Sequence, residues 1–449
     1  MPSPATASSP APDMTWFRNA KFGVFIHWGI YAVGQYPESW SFFNHGAPGQ
    51  DPADSLPLDL YLAQRHAFLA RRYDPAKWAE LFAEAGARYS VLTTKHHDGM
   101  ALWDTSEHYS VVRDTPAARD LVGPFCDAMR ARGLHAGLYY SHLDWTHPDY
   151  PSVRHGDGHT PNYAHPGTRF SYPPQNSPED PARWENFLRF HRLQLRELCE
   201  RYSPDLLWFD GDWERTPAQW RFRELRDQLR AWCPGVILNS RMGEHGDYAT
   251  PEQGIPLVAP AGPWELCMTM NRSWSCATDA SYKTAAELIR VLIECAGMGG
   301  NFLLNVAPLA DGTIFYEQAR LLREIGAWLR PHGEAIYDTV AGLPHGHFYG
   351  PSTLSADRKT LYLFQLDRPQ AEIAVKGIRN PVRSATILGG DGAQLARRVS
   401  GGAAWANIPG VLWLTVPEPA LRPHATVLKL EFEAPLDLYV GHGQVITQN

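Results

Sequence analysis

The segment PDLLWFDGDW, residues 204–213, runs an apolar stretch, Leu206 to Phe209, straight into a carboxylate, Asp210. Gly211 then allows a sharp turn. A carboxylate at the C-terminal end of a buried parallel strand stands where (β/α) barrels carry their catalytic groups. Other apolar runs also stop at polar side chains. His27 ends KFGVFIH, and Lys95, His96, His97 and Asp98 end YSVLTTKHHD. Tyr139 and Tyr140 end HAGLYY, Asn239 and Arg241 follow VIL, and Asn305 lies in FLLNV. So many strand ends of this kind predict a polar ring on one barrel face, and that face is the expected active site.

A second carboxyl group would give Asp210 the means to cleave a glycosidic bond, a reaction run by paired carboxyls. Two candidates follow it in the chain. Glu252, in YATPEQGIP, sits in the loop after the fifth strand on the catalytic side and is the expected acid/base. Glu265, in PWELCMTM, opens a strand nearer the far face and is the second choice. Asp212 reads as a turn residue. The histidines His27, His96 and His97 could hold a metal or meet hydroxyl groups. Neighbours on a strand point to opposite faces, so His96 and His97 should not enter one site together. With no His-x-His spacing and no bridging acidic set, no metal ligand is expected. Neutral imidazoles exchanging hydrogen bonds with hydroxyls fit better.

The elements that must position these groups alternate between strand and helix. Strands are read at 22–27, 89–94, 135–140, 206–209, 236–239, 265–270 and 302–306. A helix starts at Pro75 with Asp74 as its N-cap, and others cover 182–202 and 285–297. Repeated alternation of this kind means a parallel sheet. An eighth strand is not evident, so an irregular barrel is expected. After Pro344 the helical period stops. TLYLFQL, AEIAVKGI, SATILGG, VLWLTV and ATVLKLEFE are short strands between Gly, Pro and Asp turns, the pattern of an antiparallel β-sandwich. The fold class predicted is therefore α/β, a distorted (β/α)8-type barrel over 15–343 followed by a β-sandwich over 344–449. The Pro/Ala/Ser-rich residues 1–14 read as a disordered tail. Loops 44–60 and 146–181 are the expected borders of the leaving-group side.

The chain has 449 residues, 20% of them charged, with a net charge of −7, which gives no reason to expect nucleic acid or an anionic membrane as partner. The six cysteines show no zinc-type or redox spacing and read as buried free thiols. No apolar run is long enough to span a bilayer, and the first residues lack the layout of a signal peptide. A cytoplasmic location is the default expectation, with a periplasmic or secreted one if a leader has been trimmed away. Oligomeric state is not legible.

From about residue 15 to 340 the chain resembles glycoside hydrolase family 29, the retaining α-L-fucosidases. The resemblance is carried in order by KFGVFIHWGIYAVG, YDPAKWAELFAEAGARYSVLTTKHHDGMALWD, HAGLYYS, PDLLWFDG, PWELC, GGNFLLNVAPLADGTI and GEAIYDT. It implies a retaining exo-fucosidase acting on a fucosylated oligosaccharide or glycoconjugate, with no metal and no organic cofactor. It implies Asp210 as nucleophile, His27, His96 and His97 as fucose-binding residues, and Tyr140 and Trp208 as walls. Arg241 would stand beside the nucleophile and Trp274 against the sugar methyl. The family's adjacent Glu-Trp pair is split here into Glu38-Ser39-Trp40, and Glu38 and Trp40 are the expected counterparts. An α-L-galactosidase, or a sugar-binding protein without catalysis, are the rival readings.

Overall fold

The computed structural model describes residues 12–43, 55–150, 180–278, 280–368 and 372–442. The expected tail before residue 12 and most of the two expected border loops lie outside the described residues.

Seven parallel strands form the first sheet. They are β1 (Phe22–Ile26), β2 (Tyr89–Lys95), β3 (His135–Ser141), β4 (Leu206–Asp210), β5 (Ile237–Leu238), β7 (Glu265–Thr269) and β8 (Asn301–Val306), with β6 (Arg241–Glu244) standing outside it. Their order is β5-β4-β3-β2-β1-β8-β7. Strand–helix alternation yields neighbours in chain order, as a right-handed barrel requires. Several helices begin where a cap is written in the sequence. Asp74 accepts from the Lys77 N–H at the start of Pro75–Glu84, and Thr284 and Glu287 form a capping box at the start of Ala285–Gly297. Helix Pro181–Tyr202 lies on the outer face of β3, where Tyr140 donates to Gln194.

The missing eighth strand has a physical substitute. Residues 247–253 run between β5 and β7, with parallel bridges Asn239 to Tyr248, Ala249 to Trp264, and Glu252 to Cys267. Leu238 accepts from the Asp247 N–H at 2.7 Å, and Pro251 accepts from the Cys267 N–H at 3.1 Å. Pro251 has no N–H to continue a ladder, so the segment closes the barrel without forming a regular strand. Glu252 therefore stands on the barrel wall and not, as expected, in a loop beyond it.

The barrel interior is a separate apolar cluster that includes Phe25, Tyr89, Val91, Tyr139, Leu206, Trp208, Ile237, Tyr248, Cys267 and Leu303. Members of one strand are two residues apart, which is the period of a pleated strand. Counting on from Trp208 puts Asp210 on the same inner face, one step nearer the C-terminal rim.

The C-terminal part is antiparallel. One sheet has the order β13 (Ser384–Ile387), β16 (Thr426–Glu431), β11 (Thr360–Gln365), β10 (Ser352–Ser355), β9 (Thr339–Ala341). The other has the order β12 (Ile373–Val375), β15 (Val411–Thr415), β14 (Ala396–Ser400). Leu354, Leu361 and Leu363 of the first share a core with Ile373, Val375, Leu412 and Leu414 of the second. The first strand of this unit, β9, lies a few residues before the expected boundary at 344. No helix among the described residues is long and apolar enough to cross a membrane.

Candidate active site

Asp210 closes β4 on the barrel's C-terminal face. Its turn needs Gly211, which has φ +83 and where a Cβ would come within 2.5 Å of Leu143. The neighbouring backbone is locked by Asn239, whose amide accepts from the Phe209 N–H at 2.8 Å and donates to the Phe209 carbonyl at 2.9 Å. Three side chains surround the carboxylate. Arg241 donates from Nη1 to Oδ1 at 3.2 Å, Tyr139 donates to Oδ2 at 3.0 Å, and His97 Nε2 lies 3.7 Å from Oδ2.

The Arg241 guanidinium also donates from Nη2 to Glu252 Oε2 at 2.9 Å. One planar cation thus joins two carboxylates from different walls. Burial works against its charge, yet Asp210 and Glu252 raise the Arg241 pKa above its ordinary value. The Arg241 guanidinium lies over the Trp208 ring at 5.5 Å, so the indole floors the pair.

Burial disfavours the charged form of all three histidines, and hydrogen bonds fix the tautomers of His27 and His97. Asn305 donates from Nδ2 to the Trp274 carbonyl, so its Oδ1 must face His27 Nδ1, 2.7 Å away, and accept its proton. His27 Nε2 is then an acceptor. Ser141 donates to the Leu143 carbonyl at 2.9 Å and so accepts from His97 Nδ1 at 2.6 Å, leaving His97 Nε2 as a second acceptor. Burial lowers the His27 pKa to about 3 and takes His96 and His97 well below the usual value. His97 Nε2 and Glu38 Oε1 are buried without a hydrogen-bond partner among the described residues. Burial raises the Glu38 pKa to about 8, with Glu252 adding to it, so near neutral pH Glu38 is a carboxylic acid that can donate. Two acceptors and a donor, unmatched by protein, suit a polyhydroxylated ligand.

His96 and His97 lie side by side, although the alternation of a regular strand would part them. β2 ends at Lys95 after a register shift, so the strand's alternation no longer applies, and the two rings approach to 4.2 Å. Gly99 has φ +76 and no room for a Cβ beside Asp144, which lets the TKHHDG turn fold back. Beneath the turn, Lys95 Nζ lies 3.6 Å from Asp144, both fully buried. His96, His97 and Asp210 have donor atoms within 4.8 Å of one another, one group among the described residues that could hold a metal ion. Arg241 already supplies a positive charge to that carboxylate.

Ser39, between Glu38 and Trp40, bonds His96 Nδ1 at 2.6 Å. The inserted serine thus props a site histidine, while Glu38 and Trp40 both remain at the site. The Trp40 ring stands edge-on to His97 at 5.5 Å. Trp274 lies 4.9 Å from the His27 ring and 6.0 Å from Phe25, giving an apolar corner.

Two expected residues lie elsewhere. Tyr140 points outward, donating to Gln194 on helix Pro181–Tyr202 and receiving Lys95 Nζ at 3.2 Å. Its neighbour Tyr139 takes the inward place, because alternate strand residues face opposite sides. The signal was present: Gly137, Tyr139 and Ser141 are the small and polar set, while Ala136, Leu138 and Tyr140 pack against helices. Glu265 is deep in the barrel, accepting from Trp208 Nε1 at 3.0 Å and from the Tyr89 hydroxyl. It opens β7, and Tyr89 opens β2, so it belongs to the lower layers and supports the Trp208 floor instead of pairing with Asp210. Burial raises its pKa to about 7.

A distorted barrel with paired carboxylates on its C-terminal face, set among sugar-sized donors and acceptors, defines a glycoside hydrolase. A family profile described as alpha-L-fucosidase matches residues 3–334. Tissue alpha-L-fucosidase of Macaca fascicularis is 31% identical over 446 residues, covering 94% of this chain and 88% of its own length. The solved alpha-L-fucosidase isoenzyme 1 from Paenibacillus thiaminolyticus superposes with a TM-score of 0.79 at 34% identity, covering 94% of this chain and 98% of its own. An alpha-L-fucosidase from Bacteroides thetaiotaomicron, trapped as a covalent intermediate, has a TM-score of 0.78 at 26% identity and covers 96% of this chain and 98% of its own. The chain belongs to the alpha-L-fucosidase family.

Proposed function

We propose that this chain hydrolyses terminal α-L-fucosyl residues of glycans with retention at the anomeric carbon, Asp210 acting as nucleophile and Glu252 as acid/base. The observation that carries the reading is the Arg241 guanidinium shared by the two carboxylates. Such a bridge keeps them close, and retaining enzymes hold their pair about 5–5.5 Å apart. In the first step Asp210 attacks the anomeric carbon while Glu252 protonates the departing oxygen. In the second, Glu252 takes a proton from water, which displaces Asp210. His27 and His97 accept from sugar hydroxyls and neutral Glu38 donates to one. Trp274 and Phe25 offer the methyl group an apolar corner. The test is an NMR time course of an aryl α-L-fucoside. α-L-Fucose as the first product is the expected result, and β-L-fucose first would overturn the mechanism.

A further inference from the structure

Behind the wall that carries Asp210 lies a row of buried nitrogens that the reaction does not touch. His142 follows β3, and its backbone N–H donates to the Asp210 carbonyl at 2.8 Å. Its imidazole Nε2 lies 3.0 Å from the Arg241 carbonyl, and its Nδ1 lies 3.0 Å from His191 Nε2. His191 Nδ1 in turn lies 3.1 Å from Arg192 Nη1. His191 and Arg192 belong to helix Pro181–Tyr202, and both imidazoles are fully buried.

The protons in this row have a single arrangement. Arginine can only donate, so His191 Nδ1 accepts and His191 carries its proton on Nε2. A carbonyl can only accept, so His142 carries its proton on Nε2 and its Nδ1 accepts from His191. The two ends are fixed independently and agree in the middle. Burial, with Arg192 and Lys95 nearby, keeps both imidazoles neutral. The His142 ring is clamped flat against Phe209 at 4.6 Å and 7°. Arg241 needs such help, because it opens β6, which is not part of the seven-stranded sheet.

We propose that His142, oriented by His191 and Arg192, is a positioning residue that ties the backbones of Asp210 and Arg241 together and so aims the guanidinium at both carboxylates. This rests on the reading of Asp210, Arg241 and Glu252 given above. The test is a double-mutant cycle on an aryl α-L-fucoside. His142→Leu should lower kcat about 100-fold with KM within about threefold, the scale of a small misplacement. His142→Gln still offers an N–H to the carbonyl and should recover to within about fivefold of the parent. In the Arg241→Ala enzyme the leucine should cost less than about threefold, because the two act as one unit. If His142→Leu does not fold, Arg192→Met at the half-exposed outer end replaces it, with an expected loss of about tenfold in kcat at unchanged KM. Equal losses in both backgrounds, glutamine no better than leucine, or wild-type kcat in Arg192→Met would overturn the inference alone. Wild-type kcat in Arg241→Ala itself would overturn the underlying reading of the carboxylate pair, and this inference with it.

Discussion

Replacing Glu38 by glutamine should make the protein's stability less sensitive to alkali. Glu38 is 3% exposed, and burial with nearby Glu252 moves its carboxyl from an ordinary 4.5 to about 8. Between those two values the folded chain holds a proton that the unfolded chain has released. Folding therefore takes up a proton in this window, and stability falls as pH rises through it. Below the window both states are protonated and nothing is lost. Above it both are ionised and the folded state carries the whole cost of a buried charge, about 5 kcal/mol for a displacement of that size. A chain of 449 residues has an unfolding entropy of roughly 0.9 kcal/mol per degree. The cost corresponds to about 5 °C in Tm. Scanning calorimetry of wild type and Glu38→Gln at about pH 5 and about pH 9 isolates the effect, since all other titrations are common to both. The variant's Tm minus that of wild type should rise by about 5 °C between the two conditions. A difference that stays constant across the range would refute the buried, protonated acid.

Three other outcomes are expected. Asp210→Gly should lower kcat on an aryl α-L-fucoside by several powers of ten while the melting curve stays cooperative, and wild-type-like turnover would remove Asp210 from the nucleophile's role. Glu252→Ala should impair fucosylated oligosaccharides far more than aryl fucosides and regain turnover with azide, whereas Glu265→Ala should show neither effect and chiefly lower Tm; rescue of the Glu265 variant instead would exchange the two roles. Aryl α-L-galactoside, which adds a hydroxyl where fucose has its methyl, should be turned over about 100-fold less efficiently, and equal kcat/KM would show that the Trp274 corner does not read that position.

Strand positions were legible because each strand is an apolar run bounded by turn residues, and a buried parallel strand can be little else. All seven were read within about a residue of their ends. The eighth position was not legible. Pro251 and Gly254 punctuate it, and only bridges to β5 and β7 make it part of the wall. Which side of a strand enters the site depends on parity, and where two tyrosines adjoin the resemblance pointed to Tyr140 while the pleat turns Tyr139 inward. The rule that neighbouring histidines diverge failed because His96 and His97 lie beyond the strand's end. Depth along the barrel is also silent in sequence. Glu265 and Glu252 look alike as letters, yet one lies under Trp208 and the other on the rim beside Arg241. The His142 row could not be read at all, since its partners are 49 and 99 positions away.

On the proposed reading of the site, the orphaned atoms would recognise hydroxyls more sharply than the apolar corner recognises a methyl group. A buried polar atom without a partner costs about 1–3 kcal/mol, and among the described residues the site holds the acceptor His97 Nε2 and Glu38 Oε1 of a protonated carboxyl in that condition. A ligand hydroxyl placed between them removes the cost, and a ligand lacking it leaves the cost in force. The apolar corner has a single lever, the roughly 100-fold cost of adding one hydroxyl against Trp274, whereas a missing hydroxyl leaves two orphaned atoms at once. The same unpaired groups weaken the folded chain when no ligand is bound. The rest of the wall answers that with rigid, fully paired support: Asn239 on Phe209, Ser141 on His97, Asn305 on His27, and His142 on both Asp210 and Arg241. The division follows from what each group must do. In the proposed site His97 Nε2 and Glu38 Oε1 wait for substrate hydroxyls, and the groups that hold them and their neighbours in place are hydrogen-bonded, so that the unsatisfied ones cannot turn away to find partners of their own.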